Sequence, residues 1–207
     1  MSKLETNTID TVSGTSTLQV GSTNTSTITL GVSGDTINVP SGVTLANSGT
    51  ATGFADNTPM VSAYMSASQT PSNNTHTKIQ YNTEAYDTDS AYDHSSNYRF
   101  TVPSGEAGKY LINATCYMYG NNNDEKFLEV SIYKNGSQVQ RDERHGNYST
   151  GQNSGGVQSI TRIMDLSASD YIEIYGRINL NSGTPTFYGA SAADQRYSVL
   201  NIAKMIG

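Results

Sequence analysis

The chain has no tryptophan, a single cysteine, five prolines and charged side chains at only 14% of its 207 positions. Each shortage excludes something. One cysteine, Cys116, cannot form an intrachain disulfide or a C-x-x-C site. Without tryptophan the chain lacks the broad aromatic platform that a polysaccharide-cleaving cleft usually uses, although paired carboxylates among 18 acidic residues stay open. Leu, Ala, Lys and Glu are sparse, which argues against a helical bundle, a coiled coil and most α/β enzymes. No apolar run reaches the ~18 residues of a membrane span. The opening Met-Ser-Lys-Leu-Glu-Thr-Asn-Thr is polar and predicts no secretory signal. The net charge is -6 and the 12 basic residues are dispersed, so nucleic acid is not an expected partner. P-loop, G-x-S-x-G, H-E-x-x-H and dinucleotide signatures are missing, and no catalytic residue or cofactor is assigned.

What fills the chain instead is Ser, Thr, Asn, Gly and 14 Tyr, the composition of an all-β protein rich in turns. The composition changes near residue 58. All tyrosines and all arginines follow Pro59, whereas residues 1–58 hold one aromatic, Phe54. This predicts two parts, 1–58 and 59–207.

In the first part a degenerate unit recurs about every nine or ten residues: Thr17-Leu-Gln-Val-Gly21, Thr27-Ile-Thr-Leu-Gly31, Thr36-Ile-Asn-Val-Pro40 and Gly42-Val-Thr-Leu45. Each reads as a short strand with apolar residues at i and i+2, closed by a turn. Leu18, Val20, Ile28, Leu30, Ile37, Val39, Val43 and Leu45 are too few to offset the ordering of the segment alone. Either it is a linker, or three copies face these residues inward as a trimer core and pair one another's strand edges. The register of apolar residues with glycine favours the second.

The second part alternates in period two, with strands predicted over 61–65, 77–81, 98–102, 108–119, 126–134, 138–141, 157–164, 171–178, 186–188 and 197–205. Asn135-Gly136 is a hairpin signal. Cys116 falls inside a strand-like run and reads as a buried, inert thiol. His76, His94 and His145 lie in polar stretches expected to be loops, and the segment Tyr86-Asp-Thr-Asp-Ser-Ala-Tyr-Asp-His94 reads as an acidic loop. Its Asp87, Asp89 and Asp93 lack the EF-hand spacing and leave calcium open. Arg141-Asp-Glu-Arg-His145 reads as a solvated rim or an intersubunit patch. Tyr combined with Ser, Asn and Gly suits adaptable recognition loops. Tyr86, Tyr92, Arg144, His145 and Tyr148, with the runs 121–124 and 146–156, are the candidate receptor contacts.

The order of Tyr98-Arg-Phe-Thr-Val-Pro-Ser-Gly-Glu-Ala-Gly-Lys-Tyr-Leu-Ile112, Val130-Ser-Ile-Tyr-Lys-Asn-Gly136 and Asp165-Leu-Ser-Ala-Ser-Asp-Tyr-Ile-Glu-Ile174 resembles the C1q and TNF-like jelly-roll superfamily, in the version found at the tips of bacterial-virus fibres. The resemblance covers roughly residues 59–207. The first half is similar to attachment and shaft segments of tail fibres from viruses of marine bacteria and cyanobacteria. It implies a homotrimer on the virion, anchored through its N-terminus to other virion proteins. A trimeric β shaft would lead to an antiparallel jelly-roll head that binds a host-surface glycan or protein, without membrane insertion or catalysis. A capsid fibre or decoration protein has the same fold, and a polysaccharide depolymerase is a further alternative.

Overall fold

The computed structural model describes residues 20, 27–30, 33–44, 46, 48, 57–120, 125–146, 155–190, 192 and 196–205. The chain divides into two compact units, Met1–Thr52 and Gly53–Gly207.

Among the described residues of the first unit there is no strand. Val20, Ile28, Leu30, Ile37, Val39 and Val43 are 44–65% exposed in the single chain. The strands expected at Thr27–Leu30 and Thr36–Val39 are therefore not formed by one chain alone. An isolated two-residue apolar ladder has neither a core nor a partner edge, so nothing holds it extended. Leu18 and Leu45 lie outside the described residues, as does the opening segment.

The second unit is all β. Its strands are β1 (Met60–Tyr64), β2 (Thr77–Lys78), β3 (Thr83–Asp87), β4 (Tyr92–Asp93), β5 (Arg99–Thr101), β6 (Gly108–Gly120), β7 (Glu125–Lys134), β8 (Ser137–His145), β9 (Gly155–Leu166), β10 (Tyr171–Leu180), β11 (Pro185–Tyr188) and β12 (Val199–Lys204), and buried and open side chains alternate most clearly along β1, β6 and β10. Two antiparallel sheets result. In sheet A, β6 pairs with β9 along one edge and with β12, then β11, along the other, and the order continues β12-β1-β3. In sheet B, β10 pairs with β7 along one edge and with β5 and β2 along the other, flanked by β8 and β4. The chain switches sheets after β1, β2, β3, β5, β6, β8, β9 and β10, and β12 returns between β1 and β6. Non-consecutive antiparallel neighbours with repeated crossing between two sheets make a jelly roll.

Inward residues of both sheets form one core: Val61, Ala63, Phe100, Tyr110, Ile112, Ala114, Leu128, Val130, Ile132, Ile172, Ile174 and Phe187 are at most 1% exposed. Phe100 and Tyr110 stack at 5.5 Å across the turn at Gly105, which has φ +86°. Asn135 and Gly136 both have positive φ, as a two-residue hairpin turn demands. Asn135 Nδ2 donates to Asp170 Oδ1 at 2.7 Å and Tyr171 N donates to Asn135 Oδ1 at 2.9 Å. The β7–β8 hairpin is thereby fastened to the turn between β9 and β10.

Two expectations change here. The acidic segment expected to be a loop contains strands β3 and β4, so Tyr86 and Tyr92 are strand residues. The cluster Arg141–His145 is likewise the end of a longer β8, the edge strand of sheet B.

Candidate functional site

Three surfaces of the head carry side-chain chemistry. The first is the rim formed by β3, β4 and their connection. Tyr86 projects from β3 and is 51% exposed. Asp87 folds the connection: its Oδ1 accepts from Asp89 N (3.3 Å) and Ala91 N (3.0 Å), and its Oδ2 accepts from Tyr92 N (2.8 Å). Asp93 does the same one turn on, accepting from Ser95 N, Ser96 N and Asn97 N. The Ser96 amide foremost, with the Asn97 side chain, holds the Asp93 carboxyl well below the usual carboxylate range. Asp87 and Asp93 are thus committed to backbone amides, and Asp89 Oδ2 accepts from Thr88 Oγ1 at 2.6 Å. Among the described residues no three His, Cys, Asp or Glu side chains converge as a metal site. A polar hollow of about 340 Å³ lies here, walled by Glu84, Ser90, Asp93 and His94 among others. His94 Nδ1 lies 2.6 Å from Glu84 Oε1.

Tyr92 differs from the reading that made it a contact residue. It is 5% exposed, and its hydroxyl is buried without a partner among the described residues. On β4, opposite Phe100, its ring belongs to the core. Burial, with the charges of Asp93 and Glu84, raises its pKa far above the ordinary tyrosine value.

The second surface is the outer face of sheet B, where Glu129 is fully buried although it points away from the core. It is covered by groups that bond it. Arg177 Nε and Nη2 donate to Oε2 at 3.0 and 2.7 Å. On Oε1, His76 Nε2 lies at 2.9 Å, Ser131 Oγ donates at 2.6 Å and Gln138 Nε2 at 3.3 Å. Burial opposes ionisation, but the bonds from Ser131, His76 and Arg177 win and lower the pKa to about 2. Serine, histidine and carboxylate meet here in an order that does not activate a nucleophile: the carboxylate sits between the other two, and Ser131 is wholly buried. His76 is therefore a partner of a buried acid and not a free loop residue. Around it, Arg177 lies over Phe127 at 4.4 Å, Arg99 over Tyr171 at 4.5 Å, and Tyr133 stacks on Tyr175 at 4.2 Å. The charges at the centre of this face are paired within the chain, and Arg141, opposite Ser131 on the edge strand, is exposed.

Arg144 and His145 close the same sheet. Arg144 Nη2 donates to both oxygens of Glu125 at 2.9 and 3.0 Å, a buried carboxylate. Arg144 is accordingly occupied within the chain. His145 pairs with Glu143 at 2.6 Å and remains mostly exposed. Tyr148 and the runs 121–124 and 147–154 lie outside the described residues.

The third surface, the outer face of sheet A, was not singled out from sequence as a site. The registers place its side chains in rows across the strands: Ile163, Leu111, Ala203 and Met60; then Thr161, Asn113, Asn201 and Ser62; then Ser159, Thr115, Val199 and Tyr64; then Val157, Tyr117 and Tyr188. None of these is charged. Charge appears at the margins, as the Lys109–Asp165 pair at one end and as Arg196, stacked 3.8 Å over Tyr64. Tyr117, Tyr188 and Tyr197 meet with ring centroids 5.7–6.0 Å apart and, with Val157, line a shallow hollow of about 410 Å³. Val157 and Ile163 are about half exposed. Alternation in the sequence assigns one outward set per strand, but only the register shows which outward sets adjoin. Directly beneath, Cys116 is buried, and burial pushes its thiol up to about 12 against a bond from Ser198. It is an inert core side chain.

No protein-family model and no curated protein matches the chain. Among solved structures, it is similar to Eiger TNF from S. frugiperda at TM-score 0.48 and 10% identity over 72% of this chain and 94% of that one. The globular domain of the zebrafish complement 1qA protein aligns at TM-score 0.49 and 12% identity over 72% of this chain and 98% of that one. Murine APRIL aligns at TM-score 0.49 and 9% identity over 70% of this chain and 98% of that one.

Proposed function

We propose that the chain is a homotrimeric viral fibre protein of the phage tail-fibre type. Its N-terminal segment attaches to another virion protein, residues up to 58 form the threefold shaft, and the jelly-roll head binds a host-surface glycan or protein without catalysis. The observation that carries this reading is the contrast between the two outer faces. The centre of sheet B pairs its charges, Glu129 with Arg177 and Glu173 with Lys78, whereas the centre of sheet A offers uncharged, partly apolar rows. A face with an uncharged, partly apolar centre and charges only at its margin suits an interface between copies. Exposed shaft residues Val20, Ile28, Leu30, Ile37, Val39 and Val43 would gain their burial from the same association.

With the β9-β6-β12-β1 part of sheet A turned to its copies, its edge strand β3, where Tyr86 stands opposite Ser62 on the same face, carries the receptor contact together with β4. Tyr86 provides exposed aromatic area, the hollow beside Glu84 and His94 provides polar partners, and His145 with Tyr148 extends the contact surface. Three such contacts on one trimer multiply a weak individual affinity. The test is competition between the purified full chain and virus for host cells. Tyr86→Ala is expected to reduce competition at least tenfold with an unchanged thermal transition. Full competition by Tyr86→Ala together with His145→Ala would overturn the receptor surface. A fibre that never competes with adsorption would instead point to the capsid-decoration role.

A further inference from the structure

The second row of the sheet A face stands apart from its neighbours. Thr161, Asn113, Asn201 and Ser62 lie in consecutive register across β9, β6, β12 and β1. The row spans these four strands and continues onto Tyr86 of β3, the partner of Ser62, so any association through the centre of this face includes it. An apolar row, Ile163 with Leu111, lies on one side, and the tyrosine cluster lies beyond Thr115 on the other. The Thr115 hydroxyl is spent on backbone, donating to Tyr197 O and accepting from Val199 N. The Asn row is only half spent. Asn113 Nδ2 donates to Thr161 Oγ1 at 2.7 Å, and Ser62 Oγ donates to Asn201 Oδ1 at 2.8 Å. Asn113 Oδ1 and Asn201 Nδ2 have no partner among the described residues. One is an acceptor and the other a donor, on directly paired residues of adjacent strands.

We propose that this row is the specificity element of the assembly face, selecting a second copy of this chain through a bond from Asn201 Nδ2 of one copy to Asn113 Oδ1 of the next. The inference rests on the homotrimer reading above and adds to it the residues that choose the partner. Apolar rows alone can slide or accept other apolar surfaces. A polar pair that is buried only when matched penalises every other register and every partner lacking the complementary group. The pair is self-complementary, since each copy carries both halves, and this favours a copy of the chain over an unrelated partner.

The experiment uses the full chain in two differently tagged forms, Asn113→Lys and Asn201→Asp, measured by native mass spectrometry alone and after co-expression. Alone, the first sets donor against donor and the second acceptor against acceptor at all three contacts, and each is expected to lose trimer. Co-expressed, a mixed trimer keeps one native Asn201–Asn113 contact, gains one pair of opposite charge and retains a single mismatch, and mixed trimers carrying both tags are expected. Because no chain carries both substitutions, rescue reads contact between copies and not within one. Trimers of wild-type abundance from both single variants, or no mixed trimer on co-expression, would overturn the proposal while leaving a wild-type trimer intact. A monomeric wild type would overturn the homotrimer reading and this inference together. Should a charged variant fail to fold, Asn113→Ala with Asn201→Ala carries the test. That pair is expected to weaken trimer association about tenfold or more, and unchanged association overturns the proposal.

Discussion

Arg177 grips Glu129 through two nitrogens on one carboxylate oxygen, at 2.7 and 3.0 Å, from the strand beside it. The pair lies on the outward side of sheet B, yet Glu129 is fully buried there by its own partners. A carboxylate removed from water is retained only when its lone pairs are filled, and here Ser131, His76 and Gln138 fill the rest.

That arrangement fixes a pH dependence. The folded pKa of Glu129, about 2, lies below its ordinary value, so its contribution is complete above about pH 4.5 and fades as pH falls towards 2. Urea unfolding from pH 7 to 2.5 is expected to show stability declining through this window. Glu129→Gln is expected to cost about 2 kcal/mol at pH 7 by leaving Arg177 with only the longer 3.4 Å contact to Glu143, and to flatten the acid limb. A variant as stable as wild type at pH 7 would remove Glu129 from the account.

A charge placed on the sheet A face separates association from folding. Ile163 is 54% exposed in the single chain, so Ile163→Asp is expected to cost the isolated head about 1 kcal/mol or less. In an assembly the same carboxylate would be buried opposite apolar rows. Light scattering is expected to show a folded monomer. An intact assembly bearing this substitution would mean that sheet A faces solvent.

Two buried tyrosines are expected to respond oppositely to loss of the hydroxyl. Tyr81 Oη donates to Thr115 O at 3.0 Å, and Tyr81→Phe is expected to lose about 1 kcal/mol. Tyr92 Oη has no partner among the described residues, so Tyr92→Phe is expected to be neutral or stabilising by up to about 1 kcal/mol. Paired thermal melts decide this, and a larger loss at Tyr92 than at Tyr81 contradicts the geometry.

The long strands were legible because their alternation is strong: Phe127-Leu-Glu-Val-Ser-Ile-Tyr133 puts Leu128, Val130 and Ile132 into the core. The hairpin at Asn135-Gly136 was legible from the backbone angles it needs. β3 was not, because an edge strand with no buried residue has no apolar face to read. Tyr92 was misplaced for a related reason: three nearby aspartates suggest solvent, but Asp87 and Asp93 point at backbone amides while the ring turns inward. The union of Glu129 with Arg177, and of Asn113 with Asn201, depends on cross-strand register between residues 48 and 88 positions apart in sequence. Local patterning carries no trace of that.

The central claim is that three copies of this chain associate through the shaft and sheet A. The molar mass of the intact purified chain, measured by light scattering across a concentration series, tests it most directly. Three copies of 22.2 kDa give 66.6 kDa, and that mass, holding down to low concentration, is the expected result. A stable 22.2 kDa species would contradict it and leave the uncharged rows of sheet A without a role in assembly.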